Sequence, residues 1–106
     1  MSVQHLTSAN FDTVIAGAQP VLVDFFATWC GPCKMLSPVI EQLAAELEGK
    51  AAVCKLDIDQ EMAIAERYGV QSVPTVVLFQ NGREMGRIVG YQPKTAILNL
   101  LGQAKA

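Results

Sequence analysis

Two cysteines separated by two residues, Cys30-Gly31-Pro32-Cys33, carry the strongest chemical signal in the chain. At this spacing the two sulfurs meet when the second cysteine lies in the first turn of a helix, so the pair can cycle between dithiol and disulfide. Pro32 suits that turn, because its missing N–H would find no helical partner there anyway. Cys30 is then expected at the helix N-terminus, where unpaired N–H groups and the helix dipole favour a thiolate. A zinc site and a structural disulfide are the other uses of such a pair. Structural zinc takes four ligands, and beyond the pair only Cys54 and His5 remain, with no second close pair. Thiol–disulfide exchange is the reading the residues favour.

Asp24 is the second feature. It interrupts the apolar run Val21-Leu22-Val23-Asp24-Phe25-Phe26-Ala27, nine residues before Cys33. Burying a carboxylate without a partner is costly and raises its pKa. A buried acid near a dithiol suits a proton acceptor for the second thiol. The alternatives are an acid at a strand end that reaches water, or one paired with a lysine. Val73-Pro74-Thr75 opens a later strand, where a proline is ordinary because no ladder donor is needed.

The elements that must position these residues follow from apolar spacing. A strand near Val3–His5 precedes a helix capped by Thr7 or Ser8, which buries Phe11, Val14 and Ile15 and stops near Gly17. Val21–Ala27 reads as a strand covered on both faces. Leu36, Val39, Ile40, Leu43 and Leu47 recur at helical spacing, predicting a helix from about Cys33 to Leu47, ended by Gly49 and kinked at Pro38. Ala51–Ile58 is a third strand, and Asp59 starts a short helix through Tyr68. Thr75–Gln80 is a fourth strand, Asn81-Gly82 a hairpin turn into a fifth strand near Arg87–Val89, and Pro93 opens a last helix. Helix-separated strands imply parallel crossovers, with an antiparallel final pair. The fold class is α/β, a mixed and mostly parallel central sheet with helices on both faces.

Composition narrows the functions. The chain has 106 residues, 51% of them hydrophobic and 17% charged. That is one domain, residues 1–106, with enough apolar material for a core and too much for disorder. A net charge of −2 lacks the basic excess of a nucleic-acid or anionic-membrane binder. The apolar runs are too short to span a bilayer. The N-terminus shows no basic start followed by an apolar run, so no secretory signal is expected. Three cysteines is an odd count, which suits a reducing cytoplasm better than an export compartment.

Around Trp29-Cys30-Gly31-Pro32-Cys33-Lys34 the chain resembles the thioredoxin family, and the likeness extends over essentially its whole length. It is carried also by Val23-Asp24-Phe25, Pro38, Lys55-Leu56-Asp57-Ile58-Asp59, Tyr68-Gly69-Val70, Val73-Pro74-Thr75, Asn81-Gly82 and Val89-Gly90, in the family's order. The resemblance implies a thioredoxin fold, a five-stranded sheet flanked by four helices, and a protein-disulfide reductase. Cys30 would attack and Cys33 would resolve, the two forming the redox disulfide, with Gly31 and Pro32 tuning the potential. Asp24 would take a proton from Cys33, with Lys55 as its charge partner. Pro74 would be cis. Trp29, Gly31, Pro32, Val73, Pro74 and Gly90 would form a flat apolar patch for substrate chains. The partners implied are disulfide-containing proteins and a flavin-containing thioredoxin reductase drawing on NADPH. The chain itself would bind no cofactor; no metal site is expected from its residues, and a monomer is the default expectation for its oligomeric state. An oxidase or isomerase on the same fold is less favoured, since family oxidants usually place a histidine between the cysteines. A redox-independent binding role is the reading from another class.

A thiol pKa near 7, the value associated with thioredoxins themselves rather than deduced from these residues, sets the size of the thiolate effect. Against about 8.5 for an ordinary cysteine it gives roughly 16-fold more thiolate at pH 7. The weaker nucleophilicity of a less basic thiolate takes back roughly fivefold, leaving about threefold. The net kinetic gain from a low Cys30 pKa is therefore modest. Three positions depart from the family's usual pattern: Phe26 where Trp is common, Ser72 where Gly is frequent, and Tyr91 where a small residue is common. Cys54, on an apolar strand, is expected to be a small buried hydrophobe, and His5 a strand or surface residue.

Overall fold

A computed structural model describes residues 3–105. Its elements in chain order are β1 (Gln4–His5), α1 (Phe11–Ile15), β2 (Val21–Phe26), α2 (Gly31–Glu46), β3 (Ala52–Asp57), α3 (Met62–Arg67), β4 (Thr75–Gln80), β5 (Arg83–Val89) and α4 (Lys94–Leu101). The five strands form one sheet in the order β1-β3-β2-β4-β5. β1 and β2 both pair parallel with β3, whereas β4 pairs antiparallel with β2 and with β5. The expected mixed sheet flanked by four helices is present.

Several boundaries differ from the sequence-based expectation. The strand separated from β3 by α3 was expected to run parallel; β4 instead runs opposite to β2, with Thr75 facing Phe25 and Phe79 facing Val21. The stretch from Tyr68 to Pro74 lets the chain enter the sheet from the same end at which β2 leaves it. The apolar run of β4 has the same composition in either direction. β5 is longer than expected because the hairpin closes tightly: Asn81 and Gly82 take φ of 56° and 79°, and pairing begins at once with Gln80 and Arg83. α2 starts at Gly31 rather than Cys33 and continues through Pro38. α3 starts at Met62, not Asp59, because the intervening residues turn around Asp57, whose carbonyl accepts the N–H groups of Gln60 and Glu61. Ahead of α1, the Thr7 hydroxyl accepts the Ala9 N–H and the Asn10 side chain accepts the Thr7 N–H, which closes the preceding turn; the N-cap of α1 is Asn10, without a side-chain cap bond, and not Thr7 or Ser8 as expected, because the turn places the helix start three residues further on.

Alternation along the strands divides the core in two. Leu22, Val53, Val76 and Leu78 point to the face covered by α2 and α4, where they meet Leu36, Ile40, Leu43, Ile97 and Leu100. Val21, Val23, Phe25, Leu56, Val77 and Phe79 point to the other face, against Phe11, Ile15 and Ile64. Phe11, Phe79 and Tyr68 interlock there with ring centroids 5.0–5.6 Å apart. Cys54 belongs to this second core, fully buried, and burial pushes its thiol up to about 12.

One charged side chain lies inside the stack. Asp24 is 1% exposed, and neither carboxylate oxygen has a hydrogen-bond partner. Burial lifts its pKa from 3.8 to about 7, with the positive charge of Lys55 pulling the other way. The folded state therefore holds a proton that the unfolded chain releases, and stability falls as pH rises from the unfolded value toward the folded one. Roughly three pH units at about 1.4 kcal/mol each amount to about 4 kcal/mol, complete above the folded pKa and absent below the unfolded one. Asp24→Asn removes this titration. Denaturant unfolding across pH is expected to show the variant gaining on the parent chain by a few kcal/mol between pH 3.5 and 8.5; parallel stability curves would contradict the buried, unpartnered state of Asp24.

Candidate active site

β2 ends at Phe26, and only Ala27, Thr28 and Trp29 separate it from Cys30, the N-cap residue of α2. Cys30 keeps extended backbone angles, and its sulfur accepts the N–H of Cys33 at 3.1 Å. A sulfur thus fills the role a serine or aspartate oxygen plays at other helix starts. Cys30 and Cys33 are disulfide-bonded, with their Cα atoms 5.3 Å apart. Pro32 lies in the first helical turn, where it sacrifices no hydrogen bond. The Gly31 Cα faces open space, so a side chain there would meet nothing.

Exposure does not distinguish the two cysteines, since each is 4% exposed. Position does. Cys30 lies at the positive end of a helix of 16 residues, while Cys33 is inside its first turn and packs with Ala27. Negative charge is therefore stabilised better on the Cys30 sulfur than on that of Cys33.

The antiparallel course of β4 brings its first residues to the same end of the sheet. The Val73–Pro74 bond is cis, and the Val73 carbonyl oxygen lies 3.6 Å from the Cys30 sulfur. Gly90, with φ of 86°, donates its N–H to the Pro74 carbonyl at 2.7 Å, tying the end of β5 to this segment. Trp29, Gly31 and Pro32 are exposed, Val73 and Gly90 half-buried, and Pro74 itself is buried. Trp29 is 69% exposed yet anchored, because its indole N–H donates to Asp59 at 2.8 Å. Sequence reasoning missed this function of Asp59; a single acid in a turn gives no signal for it. Of the departures from the family pattern, Tyr91 is 44% exposed beside Gly90, and the Ser72 carbonyl accepts the Thr75 hydroxyl.

Behind Cys33 lies a cavity of about 270 Å³, lined by Phe26, Ala27, Thr28, Cys33, Lys34, Ser37 and Lys55. Lys55 is the register partner of Asp24 across β2 and β3, so both side chains project from the same face. Lys55 acts on Asp24 as a nearby positive charge, without a hydrogen bond to it. The Lys55 ammonium donates to the Ser37 hydroxyl at 3.0 Å and lies 4.8 Å from the centre of the Phe26 ring. Ser37 also went unread in the sequence, although one helical turn beyond Cys33 is a position that can be derived from spacing alone. His5 is exposed on β1, and among the described residues no three His, Cys, Asp or Glu side chains converge on a point suited to a metal ion.

This arrangement resembles proteins already known. The sequence model of the thioredoxin family matches residues 2–103. A thioredoxin from Staphylococcus aureus is 47% identical over 102 residues, 95% of this chain and 96% of that protein. Among solved structures, a thioredoxin from Malassezia sympodialis superposes with a TM-score of 0.89 at 35% identity, covering 98% of this chain and 92% of that one. A thioredoxin variant from Halobacterium salinarum gives the same TM-score at 39% identity, covering 99% and 93%. With the paired cysteines at the start of α2 and a match over nearly its full length, this chain belongs to the thioredoxin family.

Proposed function

We propose a division of labour within a protein-disulfide reductase in which Cys30 attacks, Cys33 resolves and Asp24 takes the resolving proton. The reductase activity comes with the family and with the bonded cysteine pair. The assignment of roles is supported above all by the Cys30 sulfur acting as the N-cap acceptor of α2. In the reduced protein the Cys30 thiolate attacks one sulfur of a substrate disulfide. The substrate S–S bond breaks, a mixed disulfide forms, and the other substrate sulfur leaves as a thiolate. Cys33 then gives up its proton and attacks the Cys30 sulfur. The mixed bond breaks, the second substrate thiolate leaves, and Cys30 and Cys33 are joined. Two electrons have moved from the protein dithiol to the substrate.

Asp24 suits the proton step on energetic grounds. A carboxylate with a pKa near 7 is part protonated and part ionised at neutral pH, so it both accepts and releases a proton readily. Trp29, Val73, Pro74 and Gly90 form the surrounding contact surface in this reading. The cis segment holds a backbone carbonyl beside the reacting sulfur, suited to pairing with an extended substrate segment. Gly31 and Pro32, in the helical turn that joins the cysteines, tune the potential of the pair in this reading.

Family membership implies disulfide-containing substrates and a reductase that restores the dithiol. The finer reading is a flavoprotein reductase supplied by NADPH, with the chain acting as a single-domain monomer without a bound cofactor in a reducing cytoplasm. The unpaired, buried Cys54 supports the compartment, since an odd thiol is poorly suited to an oxidising one.

Cys30→Ser is expected to abolish insulin-disulfide reduction. Cys33→Ser is expected to retain mixed disulfides through Cys30, visible by mass spectrometry after incubation with cell extract; finding none would count against the assigned order. Asp24→Asn should slow turnover by tenfold or more at pH 7 and by much less near pH 9, where solvent takes the Cys33 proton unaided. Equal slowing at both pH values would remove Asp24 from the proton step.

A further inference from the structure

Asp24 and Lys55 face each other in register on neighbouring strands, about 5 Å apart at the backbone. An aspartate and a lysine so placed on one face ordinarily form an ion pair. Here both Asp24 oxygens are unpartnered, and the Lys55 ammonium is bonded to Ser37 on α2 instead. The Phe26 ring, also on this face, lies under the ammonium at 4.8 Å. Phe26, Ser37 and Lys55 line the same cavity as Cys33.

We propose that Ser37 is a positioning residue: its hydroxyl, with the Phe26 ring, holds the Lys55 ammonium on the cavity wall and away from the Asp24 carboxylate. Asp24 is thereby kept free of an ion pair that would fix it as a permanent anion and weaken it as a base. The charged and titratable groups facing this site come from each surrounding element. β2 supplies Asp24. β1 supplies His5, the register partner of Lys55, whose ring lies 6.5 Å from that of Phe26. β3 adds Asp57, in register with Phe26 and bonded to the Asp59 N–H. α2 brings Cys33 and Lys34. β4 sets the apolar Val76 opposite Asp24, and the buried α4 residues of this face, Ile97 and Leu100, are uncharged. Lys55 is therefore the basic group on the strand next to Asp24, and the bond to Ser37 decides where its charge is held.

The placement of Lys55 can be tested apart from the role of Asp24 in turnover, on which only its functional consequence rests. The Asp24 side-chain carbon is followed by NMR across pH in the reduced full-length chain and in Ser37→Ala, Ser37→Thr, Lys55→Met and the Ser37→Ala/Lys55→Met pair. Loss of the hydroxyl is expected to release the ammonium to Asp24 and lower the Asp24 midpoint by about one pH unit or more, as an opposite charge at contact does. Ser37→Thr should keep the parent midpoint. In the Lys55→Met background, adding Ser37→Ala should change nothing. An unchanged or raised midpoint in Ser37→Ala, or a lowered one that persists without Lys55, would overturn the proposal. The pH profile of turnover should shift with the midpoint. A midpoint that moves while the profile does not would leave Ser37 as positioned here and reject Asp24 as the proton acceptor.

Discussion

A single hydrogen bond, from the Cys33 N–H to the Cys30 sulfur, joins the chemistry to the fold. It makes a sulfur the cap of the longest helix. The electrostatic field of that helix then acts on the atom that must carry charge. The rest of the architecture serves to hold this contact. β2 lies in the centre of the sheet, paired on both sides, so its end is fixed. α2 is held against the sheet by Leu36, Ile40 and Leu43, so its start is fixed as well. Four residues between two anchored elements, Cys30 the last of them, leave little freedom for the cysteines.

The reversed direction of β4 completes the site. Were β4 parallel to β2, Val73 and Pro74 would enter the sheet at the opposite end, a strand length away from Cys30. Running antiparallel, β4 starts where β2 finishes, and the Val73 carbonyl is brought beside the Cys30 sulfur. Trp29 extends the same surface outward, held by Asp59 from the turn after β3. Four separate stretches of chain thus meet at this end of the sheet, around Cys30.

Asp24 shows what such a site costs. An apolar residue at this position of β2 would make a more stable protein above the acidic range, because burial raises the carboxyl to about 7. Retaining the acid suits a proton transfer and not a packing role. The arrangement is kept workable by distributing charge: the neighbouring ammonium is held by a serine and an aromatic ring in place of the carboxylate.

Much of this was legible in the residues. The cysteine spacing, Pro32 at the helix start and the stripe from Leu36 to Leu43 locate the dithiol at a helix N-terminus, because each depends only on local geometry. Asp24 stood out as a charge within an apolar run, which is also local. The direction of β4 was not legible, since a strand covered on both faces has the same apolar pattern either way. The bonds of Asp59 to Trp29 and Ser37 to Lys55 join residues 30 and 18 positions apart, and no period in the sequence links them. The direction of electron flow is tested most directly by the reduction potential of the Cys30–Cys33 couple, equilibrated in thiol–disulfide buffers and followed by Trp29 fluorescence. A value close to −270 mV, the figure associated with thioredoxins themselves, is the result this account predicts. A value about 100 mV or more higher, in the range of disulfide isomerases and oxidants, amounts to roughly 5 kcal/mol and would contradict it, leaving the fold in place with electrons running the other way.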